Sequence, residues 1–259
     1  MEVVIAHDST EVARFAAGAI ENAVLDRPAP VIGLATGSSP LPTYRELIAR
    51  HRRGELSFAA ARAVILDEYV GLPTEHPESY RSVIEREFVD HVDLEPASLF
   101  TPDTHADDIP DACRRYDDLV VELGVDVQIL GIGSNGHLGF NEVGSSLASR
   151  TRIKTLTDRT RQDNARFFDS VDEVPRHVVT QGLATIREAA HLVLVAVGIN
   201  KAAPIAAAVE GPVSASCPAS VLQMHPHVSV LVDEAAASEL KQAGYYRETF
   251  RHKPSWQSL

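Results

Sequence analysis

Asn135, His137 and Glu142 lie within eight residues of one another in the stretch GIGSNGHLGFNE, residues 131 to 142. An amide, an imidazole and a carboxylate are the kinds of group that hold and move protons. Gly131, Gly133, Gly136 and Gly139 run through the same stretch, and glycine lets a backbone turn sharply and approach a ligand closely. The competing reading is a packing histidine beside a capping carboxylate; glycine density next to an acid/base set favours a site. A second stretch, ILDEYVGLPTEHPESY, presents Asp67 and Glu68 together directly after an apolar run. One carboxylate held over a substrate can abstract a carbon-bound proton, or either can cap the loop or pair with an arginine.

Two further features suit an anion. In GLATGSSPLPTY, Thr36, Gly37, Ser38 and Ser39 stand between an apolar run and a proline-started helix. Backbone N–H groups at such a helix start, joined by hydroxyls, can bind phosphate. A capped turn of small residues reads equally well, and no Gly-Lys-Ser/Thr follows to make it a Walker loop. Lys201, after VAVGIN, is a cation for a phosphate or a solvated helix start. His225 and His227 in LQMHPHVSV share a face of an extended backbone, but no third ligand is identifiable, so no metal is expected. Cys113 and Cys217 read as small packing residues.

The elements that must position these groups are legible as continuous apolar runs: APVIGLAT, ARAVIL, VDVQILGIG, HLVLVAVG and HVSVLVDE. Continuity rather than alternation marks strands buried on both faces. Helical patterns lie between them: STEVARFAAGAIENAV with a Ser/Thr cap, PLPTYRELIARHR, PESYRSVIEREFVDHV, DIPDACRRYDDLVVEL, NKAAPIAAAVE and EAAASELKQA. The alternation predicts a Rossmann-like α/β fold, a mostly parallel sheet with helices on both faces. Sites in such folds sit at the carboxyl ends of strands, where the residues above fall. With no linker or repeat, residues 1–259 read as one catalytic domain, and the polar segment at about 157–176 as a helical lid.

The bulk composition narrows the ligands. A formal charge of -12, with 36 carboxylates, disfavours nucleic acid, so an acidic substrate needs a local pocket. Two cysteines exclude a disulfide framework. No run reaches the roughly 18 apolar residues of a membrane span, and MEVVIAHDSTEV lacks the pattern of a signal peptide. A cytoplasmic protein is expected.

Taken together the motifs LDEYVGLP, EHPESY, GHLGFNE, SSLASRTRIKTLT, NARFF, AVEGPVS and LQMHP resemble, in order and spacing, the glucosamine-6-phosphate deaminase family, of the sugar-phosphate isomerase type. The resemblance implies conversion of glucosamine 6-phosphate and water to fructose 6-phosphate and ammonia, without cofactor or metal. It implies Asp67 as the base that moves the C2 proton, and His137 as the group that assists ring opening. Glu142 would orient that imidazole, with Asn135 beside it. Thr36 to Ser39, Arg166 and Lys201 would hold the phosphate. Many members carry aspartate where this chain has Asn135, and proline where it has Val143. In allosteric members a segment like SSLASRTRIKTL binds N-acetylglucosamine 6-phosphate at a subunit boundary, which implies Ser146, Arg152 and Lys154 as effector ligands, Tyr245 or Tyr246 as an aromatic partner, and a homo-oligomer. The alternatives are a 6-phosphogluconolactonase-like hydrolase, against which Phe140, Asn141 and Glu142 argue, and a non-catalytic sugar-phosphate sensor.

Overall fold

A computed structural model describes residues 1–165, 168–254 and 256–259. Its strands are β1 (Glu2–Ala6), β2 (Val31–Leu34), β3 (Arg62–Ile65), β4 (Asp67–Tyr69), β5 (Leu99–Phe100), β6 (Val127–Leu130), β7 (Arg152–Thr155), β8 (His177–Thr180), β9 (His191–Ala196) and β10 (Val228–Asp233). The helices are α1 (Ser9–Asp26), α2 (Leu41–Arg52), α3 (Tyr80–Glu87), α4 (Ile109–Leu123), α5 (Asp158–Asn164), α6 (Leu183–Ile186), α7 (Ala202–Glu210) and α8 (Ala243–Arg251).

Seven strands pair in parallel in the order β1-β10-β9-β6-β2-β3-β5. The five expected apolar runs supply its centre, and β2, β6 and β9 are buried at every residue, as strands with helices on both faces must be. From β2 the chain works outward through β3 to β5, then returns to β6 on the other side of β2. The order reverses between β2 and β6, which opens a crevice at their carboxyl ends.

Three elements depart from the sequence reading. Residues 234–242 form turns, not a helix, and the helix begins only at Ala243. The Asp233 carboxylate accepts the Ala236 N–H at 2.8 Å, and the Glu210 carboxylate takes the Lys241 and Gln242 N–H groups at 2.8 Å each. Side-chain acceptors thus replace the helical ladder, and the turns deliver Ala236, Ala237 and Leu240 to the core. Helix α1 is capped by Asp8, whose carboxylate accepts the Glu11 N–H at 2.9 Å, with Ser9 and Thr10 inside the first turn. Helix α3 stops at Glu87 and passes into a 3-10 turn at Val89–His91.

A second, antiparallel sheet, β4-β8-β7, stands beyond the carboxyl end of β3. Asp67 faces Thr180, and Thr180 faces Arg152, in one cross-strand row. Directly opposed residues of antiparallel strands share a face, so the row lines up an acid, a hydroxyl and a guanidinium. Tyr69, Leu72, Phe140, Leu156, Val174 and Val178 form a small core of their own around this sheet. In the segment expected to be a lid, α5 is followed by a 3-10 turn at Val171–Glu173. The buried Arg161 ties the two together, donating from Nε to the Val174 carbonyl at 3.0 Å and from Nη2 to the Val171 carbonyl at 2.7 Å.

Candidate active site

The Asp67–Glu68 pair divides its labour because neighbouring strand residues point to opposite faces. Glu68 is structural: its carboxylate accepts the N–H groups of Tyr69 at 2.8 Å and of Tyr80 and Arg81 at 2.9 Å each, holding the start of α3. Asp67 is only 5% exposed. Burial first, and the like charge of Glu68 second, push its carboxyl up to about 8. Close by, the ring of Tyr80 stacks on Phe140 at 6.1 Å and lies tilted by 60° against Tyr69 at 4.9 Å. A carboxylate tuned toward neutrality is a stronger base than one free in water.

The glycine-rich stretch follows β6, and its loop crosses Asp67. A Cβ at Gly139, where φ is +54°, would lie 3.0 Å from Thr180 Oγ1 and 3.1 Å from Asp67 Oδ2. At Gly133 a Cβ would fall 2.2–2.4 Å from three atoms of the His137 ring. These two glycines therefore admit side chains of the site itself. His137 rests on Gly133 with Nδ1 facing Glu142 Oε2 at 3.6 Å. That distance is longer than a hydrogen bond, and among the described residues Nδ1 is buried with no hydrogen-bond partner. The bonds to Glu142 come from Asn135 Nδ2, which donates to Oε2 at 2.7 Å, and from Thr160 Oγ1, which donates to Oε1 at 2.8 Å. The His137 imidazole foremost, with Thr160 and Asn135, holds the Glu142 carboxyl down at about 2 against the opposing effect of burial. Asn135 also accepts the His137 N–H at 3.2 Å. An aspartate there would offer no N–H to Glu142 and would add a like charge.

Asn141 joins the two loops. Fully buried, it donates to the Leu138 carbonyl at 3.0 Å and to the Gln181 carbonyl at 2.8 Å, and accepts from Arg152 Nη1 at 2.9 Å. Gln181 in turn donates from Nε2 to the Ile65 carbonyl at 3.0 Å, at the root of β4. Thr180 Oγ1 accepts the Phe140 N–H at 3.2 Å. Thr160, Thr180 and Gln181 escape sequence reasoning, since each is a common residue whose value lies in a partner 18 or more positions away. Asn141 was visible inside the GHLGFNE motif, and Tyr80 inside EHPESY.

On the other side of the crevice, Ser39 approaches Gly131, whose added Cβ would lie 3.7 Å from the Ser39 Cβ. Lys201 Nζ donates to the Ile132 carbonyl at 2.5 Å. The Thr36–Ser39 loop ends at Pro40, the N-cap of α2, with no side-chain cap bond there. The loop, the lysine and the glycine stretch therefore meet, whereas Arg166 lies outside the described residues. Arg152 and Lys154 lie on β7, two apart as expected of an extended chain, and Ser146 is exposed. Burial lowers the Arg152 guanidinium below its ordinary range, and among the described residues no carboxylate pairs with it. His225 is engaged by backbone, with Nε2 2.8 Å from the Ala189 carbonyl, while the His227 ring stacks on His191 at 3.7 Å. Among the described residues no group of three His, Cys, Asp or Glu converges as metal ligands. Cys113 is buried in α4, and Cys217 packs its Sγ against Gly136.

A family model described as glucosamine-6-phosphate isomerases/6-phosphogluconolactonase matches residues 6–231. The chain is 60% identical to the glucosamine-6-phosphate deaminase of Rhodococcus opacus over 260 residues, covering 100% of each. It is 56% identical to that of Mycolicibacterium smegmatis over 261 residues, again covering 100% of each. The solved structure of a monomeric glucosamine-6-phosphate deaminase matches with TM-score 0.89 at 43% identity, over 92% of this chain and 100% of that one. The 6-phosphogluconolactonase of Trypanosoma brucei matches with TM-score 0.72 at 19% identity, over 92% and 98% of the two chains. At that identity the likeness concerns the fold alone.

Proposed function

The chain belongs to the glucosamine-6-phosphate isomerase/6-phosphogluconolactonase family, and from that premise we propose that it is an enzyme converting glucosamine 6-phosphate and water to fructose 6-phosphate and ammonia. Overall this is hydrolysis of a C–N bond, coupled to isomerisation. The observation that carries the reading is the loop of His137 and Glu142 lying directly across the buried Asp67, two acid/base centres from separate strands at one crevice.

The chemistry assigns each group a step. The sugar ring opens when a proton leaves the anomeric hydroxyl and one reaches the ring oxygen, a transfer for His137 with Glu142 as its charged partner. The carbonyl of the open form acidifies the C2–H. Asp67 takes that proton and returns one to C1, which turns the enolamine into an imine that water cleaves to the ketose and ammonia. Asn135 holds both the His137 backbone and the Glu142 carboxylate, so coupling to the imidazole rests on Glu142. The phosphate lies against Thr36, Gly37, Ser38 and Ser39, with Lys201 and Arg166 supplying the charge. Release of ammonia together with fructose 6-phosphate from glucosamine 6-phosphate tests the reading. Hydrolysis of 6-phosphogluconolactone instead would establish the lactonase, and binding without turnover the sensor.

Lys201→Ala should raise KM about 10- to 100-fold, the equivalent of about 1.5–3 kcal/mol for a charge-assisted contact, with a smaller change in kcat. An unaltered KM places the phosphate elsewhere.

Residues 157–176 act as a lid within this one catalytic domain, closing over the enol intermediate to exclude water and bringing Arg166 to the phosphate. Amide exchange in this segment slows when a substrate analogue is added; equal exchange with and without it refutes the lid.

The SSLASRTRIKTL segment binds N-acetylglucosamine 6-phosphate through Ser146, Arg152 and Lys154. The half-buried Arg152, with no carboxylate partner among the described residues, supports an anion there, and its bond to Asn141 offers a route to the catalytic loop. The site implies a homo-oligomer, although the solved relative at 43% identity is a monomer. The effector should lower the half-saturating substrate concentration, and Lys154→Ala should remove that effect. Hyperbolic kinetics indifferent to both would make the segment architectural. A cytoplasmic location suits the substrate; among the described residues no helix is long and apolar enough to cross a membrane.

A further inference from the structure

We propose that Thr160 is a positioning residue for the reaction, fixing the orientation of the Glu142 carboxylate from α5 through a hydroxyl pair shared with Thr157. The proposal rests on the roles of His137 and Glu142 given above. Its basis is a count of protons. Thr160 Oγ1 donates to Glu142 Oε1 at 2.8 Å, and the same oxygen stands 2.9 Å from Thr157 Oγ1. Each hydroxyl has one proton. Once Thr160 has given its proton to the carboxylate, Thr157 must donate to Thr160, and the Thr157 oxygen then accepts the Thr160 N–H at 3.1 Å. The N-cap of α5 is thereby a directed chain of donors ending on the anion.

The two oxygens of Glu142 have separate duties. Oε2 accepts from Asn135 at 2.7 Å and faces the His137 ring at 3.6 Å, whereas Oε1 reaches α5. Without the Oε1 bond the carboxylate can turn about its last torsion, which is broad for glutamate, and carry Oε2 away from the imidazole. Thr157 and Thr160 also line, with Ser134, Asn135, His137 and Glu142, a cavity of about 360 Å³. Helix α5 is thus a wall of the reaction chamber and a support of its carboxylate at once. The Arg161 bonds to the Val171 and Val174 carbonyls keep that wall in place from behind.

Thr160→Val keeps the shape and β-branching of the side chain but loses the hydroxyl. We expect kcat/KM to fall about tenfold, mostly in kcat, with only a small fall in melting temperature, and Thr160→Ser to restore most of the loss. In a Glu142→Gln background the same substitution should cost almost nothing more, because the two residues act as a unit. An undiminished tenfold loss in that background, or parent kinetics in Thr160→Val, overturns the proposal. A reading independent of turnover is the carboxyl ¹³C titration of Glu142, which should move upward from about 2 in Thr160→Val. An unmoved titration refutes the Thr160 contact, whereas a shifted titration in Thr160→Val beside a parent that shows no deaminase activity refutes the proposed reaction instead.

Discussion

Asp67→Asn is expected to lower turnover by about 10²–10⁴-fold, the usual worth of a positioned general base, and at the same time to raise the melting temperature. The two effects share one cause. Asp67 is buried, with its carboxyl pushed up to about 8, while in the unfolded chain it titrates at the ordinary 3.8. A folded value above the unfolded one means that the folded state binds the proton more tightly. The stability this contributes is complete below about 3.8 and is lost as pH rises toward about 8. Near pH 7 the loss is on the order of 4 kcal/mol, taking about 1.4 kcal/mol per unit. Asparagine fills the same space and does not ionise, so the melting-temperature gap between variant and parent should be small at pH 4 and widest near pH 8. Equal melting temperatures at pH 8 would mean that Asp67 ionises there without penalty, and parent-like turnover would remove it from the chemistry.

Gly133→Ala should displace the second acid/base centre without replacing any residue that reacts. The added Cβ falls 2.2–2.4 Å from the His137 ring, far inside van der Waals contact, so the ring must leave. Because a side chain on a loop can swing away at modest cost, the fold should survive with a small loss of stability. The imidazole would no longer face Glu142, and kcat should fall about 10²–10³-fold while KM for the phosphate-anchored substrate changes little. The check is a kinetic comparison of parent and variant, with circular dichroism as the control for folding. A variant with full kcat would show that the position of the ring on Gly133 is irrelevant to the reaction.

How much of this was legible depended on how locally each feature is encoded. The parallel sheet was, because β2, β3, β6, β9 and β10 are continuous apolar runs whose burial is dictated by their own residues. Asp67, Asn135, His137 and Glu142 were visible as residue types at the ends of such runs. The small antiparallel sheet was not: β4 is Asp-Glu-Tyr, and β7 is Arg-Ile-Lys-Thr with its residues partly or fully exposed. Neither has the apolar signature of a strand, and both exist through pairing with β8. The helix expected over 234–243 failed for a similar reason, since Asp233 and Glu210 capture its N–H groups from outside the local pattern. Thr160 and Thr180 earn their place only from what folding brings beside them.

The strand order also bears on how the chain is made. Strand β1 is the first to leave the ribosome, yet its sheet partner is β10, with Glu2 set against Ser229. The strands β2 and β3 can pair as soon as both have emerged, and β6 can join them, so the sheet can be assembled from its middle outward. Throughout that interval the apolar Val3, Val4 and Ala6, buried in the finished protein, have no strand to lie against. Closure waits for β10 and for the contact of Lys253 with Glu2, 2.5 Å across the ends of the chain. Such long-range pairing is slow and leaves sticky surface exposed in the meantime. Slowing elongation late in the message should therefore favour aggregation at this N-terminal strand more than slowing it early, and a nascent chain arrested before residue 228 should present β1 to proteases and chaperones while β2 and β3 are already protected.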